Sequence, residues 1–201
     1  MIKAAAIDKG RRDRAPADLA RIVVSIDPAI SSHEGSDETG VIVAGRDERG
    51  HGWVLEDLSS KYQPHEWART AIEAYGRHSA DRIVAEVNQG GDMVENTIRT
   101  IDANVPFTAV HASRGKFTRA EPIATLYEQG KAHHVGNFPL LEDQMTSFVP
   151  DIDRSKMGSP DRLDALVWAL TELCIEKVPY TGLLEFYRLQ KAAAQGEAPL
   201  A

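Results

Sequence analysis

Apolar residues recur along this chain with two periods, that of a strand and that of a helix. Residues 21–26, RIVVSI, form a β-branched run that leads into Asp27 and Pro28 and predicts a strand. Residues 39–45, TGVIVAG, predict a second strand and 53–58 a third, with DERGHG at 47–52 as the hairpin turn between them. Pro64 opens a helix to about Ser79, with Trp67, Ala71, Ala74 and Tyr75 near one face. Residues 82–87 predict a fourth strand, 88–91 a glycine turn, and 92–101 a helix with Met93, Val94, Ile98 and Ile101 inward. A fifth strand is expected over 107–110. Thr118 has the place of an N-cap for a helix to about Gln129, with Glu121 completing a capping box and Gly130 ending the helix. A short strand over 132–135, a helix over 140–148 and a polar loop over 151–158 follow. Ser159 and Pro160 then signal a helix to about Ile175, with Ser159 as N-cap and Pro160 as first residue.

Three hairpin-linked strands followed by helices alternating with strands make an α/β chain. Its central sheet is mixed, antiparallel over strands 1–3 and parallel beyond, and flanked by helices. That order matches the topology of the RNase H-like fold, which alone says little about function. Residues 1–20 are polar, basic and alanine-rich and read as a flexible tail or linker remnant. Residues 21–178 read as the folded domain, and 179–201 as a C-terminal helix and tail, with the helical stretch at 183–189.

Bulk properties narrow the classes. At 201 residues the chain suffices for one domain with a real core. No run is long and apolar enough to span a bilayer, and the first residues lack the apolar stretch of a secretory signal. No membrane partner is expected. Cys174 is the only cysteine, which excludes an internal disulfide, and its apolar helix makes it a buried, inert thiol. A formal net charge of −7 argues against a nucleic-acid surface spread over the whole chain. A local basic stretch still runs from His111 to His134, with Arg114, Lys116, Arg119 and Lys131 against Glu121 and Glu128. A DNA partner held there would be held locally, and salt would weaken it.

The candidate chemistry lies in acids at the ends of predicted elements. Asp27 ends the first strand, Glu86 ends the run RIVAE, and Asp161 and Asp164 open the apolar helix DRLDALVWAL. Carboxylates at the ends of buried strands are costly without a compensating cation. If the first strand is central and pairs with the fourth, Asp27 and Glu86 end side by side. Asp161 and Asp164, at i and i+3, share a helix face. Such a cluster repels itself unless hard divalent metal relieves it, and two ions about 4 Å apart suit phosphodiester hydrolysis.

Plainer readings stand beside these. Asp27 before Pro28 suits a turn, Glu86 before a polar loop suits the surface, and Asp161 suits the positive end of a helix dipole. Asp164 is harder to explain away, because the helix it opens is apolar nearly all round. Asp37 is a turn acid or an outer ligand. His133 and His134, adjacent on a strand, point to opposite faces and cannot easily share an ion. Trp53, Trp67 and Trp168 read as core rather than as base-stacking platforms.

Four segments in order, IDPAISSHEGSDETGVIVAG, RIVAEVNQGGDMV, SRGKFTRAEPIATLYEQGKAHHVG and SPDRLDALVWALTEL, resemble the nuclease domain of the large terminase subunit. These subunits are the packaging motors of tailed bacteriophages and gene-transfer particles. The resemblance covers about Arg21 to Arg188. It implies an RNase H-like, metal-dependent endonuclease that cuts concatemeric double-stranded DNA during genome packaging, in the cytoplasm of a bacterial host. It maps catalytic and metal-binding acids onto Asp27, Glu86 and Asp164, with Asp161 in a neighbouring acidic position as a second candidate ligand. The implied cofactor is one or two Mg²⁺ or Mn²⁺ ions. Lys116 matches a basic position of the family and is expected on phosphate, with Arg119 and Arg114 as further DNA contacts. Asn88, Gln89, Gly90 and Gly91 resemble the loop after the second acid.

Expected partners are DNA, a packaging ATPase domain, the portal and the small terminase subunit. No GxxxxGK[ST] phosphate loop is present, so this chain carries no ATPase. It is expected to be an isolated domain with part of its linker or a separately encoded nuclease, and Met1 followed by linker-like residues favours the former. No helix is rich in Arg, Asn and Gln, so sequence specificity is expected to be low. Two rivals remain open: another RNase H-like nuclease such as a junction resolvase, and a catalytically silent docking module of a packaging motor.

Overall fold

The computed structural model describes residues 2–29, 38–87, 91–148 and 159–175. Its strands are β1 (Arg21–Asp27), β2 (Gly40–Arg46), β3 (Gly52–Asp57), β4 (Arg82–Glu86), β5 (Phe107–Val110) and β6 (Ala132–His134). Its helices are α1 (Ala4–Gly10), α2 (Pro64–Arg77), α3 (Gly91–Ile101), α4 (Lys116–Glu128), α5 (Pro139–Ser147) and α6 (Asp161–Cys174). The strands form one sheet in the order β5-β4-β1-β2-β3-β6. The hairpin pairs β1–β2 and β2–β3 are antiparallel, while β1–β4, β4–β5 and β3–β6 are parallel. This is the mixed sheet expected from the order of elements, with β1 central and beside β4.

Strand alternation splits the core in two. Val24 and Ile26 of β1 pack with Val41, Val43, Ile83 and Ala85 under α2 and α3. Val23, with Ile42, Ala44, Val54 and Val84, faces α4, α5 and α6. By the same alternation Asp27 and Glu86 end their strands on the α6 side.

α6 is buried along nearly its whole length, and each fully buried leucine contributes on the order of 2 kcal/mol. Two glycines let it lie flat on the hairpin. A Cβ at Gly40 would sit 2.1 Å from the Asp161 carbonyl oxygen, and one at Gly52 would sit 2.7 Å from Leu170 Cδ2.

The start of α6 departs from expectation. Pro160, not Ser159, holds the N-cap position, and no side chain there caps the helix. Gln144 of α5 supplies the missing acceptor, its Oε1 taking the Leu163 N–H at 3.1 Å. Arg162 fastens the same turn, donating to both oxygens of Glu38 at 2.8 and 3.0 Å and to Asp57 Oδ2 at 2.8 Å. α4 likewise starts at Lys116 with Gly115 as N-cap, so Thr118 is interior and the capping box with Glu121 does not form. A capping box does form on α2, between Gln63 and Glu66. On α3 Val94 and Ile98 are buried as expected, whereas Met93 and Ile101 are exposed.

The expectation of a tail before Arg21 is corrected over residues 2–12. α1 buries Ile2 and Ile7 in the α4–α6 core. Arg11 donates to both oxygens of Glu142 at 2.8 and 3.0 Å, and Arg12 bridges to Val135 beside β6. Two apolar anchors and one ion pair 131 residues apart hold the segment, which no local pattern shows. Asp37, Asn88, Gln89, Gly90, the loop 151–158 and the stretch 183–189 lie outside the described residues.

Candidate active site

The register of β1 on β4 pairs Ile26 with Ala85, so the next residues, Asp27 and Glu86, end at the same sheet edge. Across β2, Asp27 pairs with Gly40, the residue on which the first turn of α6 rests. That turn carries Asp161 and Asp164, both buried, as i and i+3 on one face. The sheet edge and the helix start therefore bring the four predicted acids together. Burial, then the like charges of Asp164 and Glu86, push the Asp27 carboxyl well above the usual carboxylate range. Burial also raises Asp164, although Lys116 and Arg119 pull it back.

The two cations come from α4, whose first turn sets Lys116 and Arg119 three residues apart on one face. Lys116 forms an ion pair with Asp164 Oδ2 and donates to Ser159 Oγ at 3.0 Å. Burial opposes the Lys116 charge, but Asp164, Asp27 and Asp161 outweigh it and hold the ammonium above its ordinary value. Arg119 donates to Glu86 Oε2 at 3.1 Å and to Asp164 Oδ1 at 3.4 Å. Its side chain is only 8% exposed, so it faces the acids rather than an approaching phosphate. Arg114, on the loop before α4, is exposed.

The sequence places Trp168 in the core alone. It is buried, but its indole N–H also donates to Glu86 Oε2 at 2.6 Å, and the Arg119 guanidinium sits 4.5 Å over its ring. A signal for this exists in the spacing: Trp168 lies four residues after Asp164 on the same helix face. His133 and His134 diverge as expected, the first against Trp53 and His51, the second against Tyr127 and Glu142. Burial pushes the Cys174 thiol up to about 11, which keeps it protonated.

Only hard carboxylate oxygens converge here, and that donor chemistry fits a divalent ion such as Mg²⁺ or Mn²⁺. The raised Asp27 carboxyl marks a cluster with more negative than positive charge. As the side chains stand, Lys116 and Arg119 supply the countercharge. Among the described residues no three acid, histidine or cysteine side chains are grouped around one ion-sized point.

The family described as the terminase RNaseH-like domain matches residues 24–173. The chain belongs to that family. This terminase RNase H-like domain has the same fold as several solved terminase structures. The full-length large terminase of a thermophilic bacteriophage superposes with a TM-score of 0.63 at 11% identity, over 82% of this chain and 43% of that protein. The large terminase nuclease of the thermophilic phage G20c gives 0.58 at 14% identity, over 76% of this chain and 82% of that one. The human cytomegalovirus terminase nuclease domain, Mn soaked and inhibitor bound, gives 0.55 at 16% identity, over 88% and 96%. The chain thus spans under half of the first of these three proteins. No curated protein matches it.

Proposed function

We propose that this domain is an endonuclease that hydrolyses double-stranded DNA with divalent metal, as the cutting module of a genome-packaging terminase. The observation that carries the reading is the convergence of Asp27, Glu86 and Asp164 at one sheet edge under α6 in a chain of this family. These three, with Asp161 beside them, would hold one or two Mg²⁺ or Mn²⁺ ions. Bound there, the metal supplies Lewis-acid charge and a water of lowered pKa.

The chain's own residues set the rest. Asp27 sits where the fields of Glu86, Asp161 and Asp164 overlap, so its carboxylate is the one most in need of a cation and the natural shared ligand. Lys116 places a fixed ammonium against Asp164 at the start of α4, where it can meet a phosphate that approaches the acids. Arg114, exposed on the adjoining loop, is suited to hold the DNA backbone. Contacts of this kind read charge rather than bases, in keeping with low sequence specificity. A packaging ATPase, a portal and a small terminase subunit are the partners this reading implies, in the cytoplasm of a bacterial host.

The test is conversion of supercoiled plasmid to nicked and linear forms by the purified chain in Mn²⁺, in Mg²⁺ and in EDTA. Cleavage that requires metal supports the proposal. Cleavage that persists in EDTA contradicts it, and silence in every metal favours a docking module of a packaging motor.

A further inference from the structure

Arg119 occupies a position that a DNA-contacting arginine does not need. It lies beneath the surface, spans two of the proposed metal ligands and rests on a tryptophan that binds one of them. We propose that Arg119 is a resident countercharge: it fixes Glu86 and Asp164 relative to each other without metal, and it competes with the divalent ion for their oxygens. This rests on the metal-dependent reading above and adds a regulatory feature to that same site.

The competition follows from counting acceptors. Glu86 Oε2 receives two N–H groups, from Trp168 at 2.6 Å and from Arg119 at 3.1 Å. A carboxylate oxygen has two in-plane lone pairs, so those two donors use both. Asp164 Oδ1 receives Arg119, and Asp164 Oδ2 pairs with Lys116. Three of the four oxygens of these acids are therefore committed to a cation or to the indole. An ion that takes Glu86 Oε2 or Asp164 Oδ1 must displace the guanidinium from it.

The geometry also explains why the residue is arginine. A planar fork reaches two carboxylates with separate nitrogens, which a lysine ammonium does less well. The Trp168 ring under the guanidinium supports its charge and fixes its plane. Arg119 Nε is buried and has no hydrogen-bond partner among the described residues, so the contacts to Glu86 and Asp164 carry its placement. The bare cluster is thus kept from repelling itself apart, at the cost of weaker metal binding. Ions would enter most readily when DNA phosphate draws Lys116 and Arg119 toward itself, which couples metal loading to substrate.

The experiment is isothermal titration of Mn²⁺ into the 201-residue chain without DNA, for wild type, Arg119→Gln and Arg119→Lys. Melting in EDTA and in Mn²⁺ is measured beside it. Arg119→Gln is expected to bind Mn²⁺ roughly tenfold more tightly, the equivalent of one or two hydrogen bonds to a charged group. Arg119→Lys is expected in between. In EDTA the glutamine variant should melt lower than wild type, and Mn²⁺ should recover more of its stability. Wild type that binds Mn²⁺ while Arg119→Gln binds it equally or more weakly overturns the countercharge and leaves the nuclease reading standing. Absence of Mn²⁺ binding in all three proteins overturns the metal reading itself. A merely structural arginine would lower the melting temperature without raising metal affinity.

Discussion

Gly40 and Asp161 touch backbone to backbone: the Cβ that Gly40 lacks would lie 2.1 Å from the Asp161 carbonyl oxygen. Gly40 pairs across the sheet with Asp27, so this contact sets the height of α6 above the first acid. Gly40→Ala is expected to lift the helix start, to cost about 1–3 kcal/mol, and to disperse Asp161 and Asp164 from Asp27. Gly76, near the end of α2, has nothing within 4 Å of its missing Cβ. Gly76→Ala should therefore stabilise by about 0.5–1 kcal/mol. Urea unfolding of the two variants checks the pair, which must move in opposite directions.

Acid sensitivity is expected to come from a network remote from the acids of the sheet edge. Arg11 and His134 both donate to Glu142, and Tyr127 donates to the other imidazole nitrogen of His134 at 2.7 Å. Burial resists the Glu142 charge, but Arg11 and then His134 hold its carboxyl down at about 2, from an ordinary 4.5. Burial holds the His134 imidazole below its ordinary 6.5, against the pull of Glu142. Both groups bind fewer protons folded than unfolded, so both lose stability in acid. The histidine contribution falls away as pH drops below 6.5, and the glutamate contribution as pH drops from 4.5 toward 2. Glu142→Gln should lose about 1–3 kcal/mol near neutral pH and show a flatter acid limb. Unfolding free energies at about pH 7, about 5.5 and about 3.5 test both the size and the sign. Arg11→Ala should free α1 in the same way and speed amide exchange at Ile7.

How much of this was legible in the sequence divides along physical lines. Where local pattern and packing agree, as in RIVVSI, RIVAE and ALVWAL, the strands, the helix and the pairing of β1 with β4 follow from the residues. The gathering of Asp27, Glu86, Asp161 and Asp164 follows from that pairing. Features that depend on distant partners did not show. Gln144 caps α6 from another helix, and Arg11 reaches Glu142 across most of the chain, so no window around Ser159 or Ala4 contains the cause. Arg119 looked like a surface arginine because the two carboxylates that bury it come from β4 and α6.

The two arginines near α4 should part company in DNA binding. Arg114 is exposed, whereas the Arg119 side chain is buried against the acids. Arg114→Ala should weaken binding to unrelated duplexes alike and reduce the slope of log affinity against log salt by about 0.9. Arg119→Gln should leave that slope nearly unchanged. Fluorescence anisotropy across a salt series in EDTA gives both slopes.

The most direct test of the carboxylate centre is plasmid cleavage in Mn²⁺ by wild type and by Asp27→Asn, with the melting temperature of each recorded. Because Asp27 is a buried acid among like charges, its neutralisation should leave the domain folded and as stable as wild type or more so. This folded variant is expected to cut no DNA. Cleavage by Asp27→Asn at the wild-type rate would contradict a carboxylate-held metal as the source of the activity.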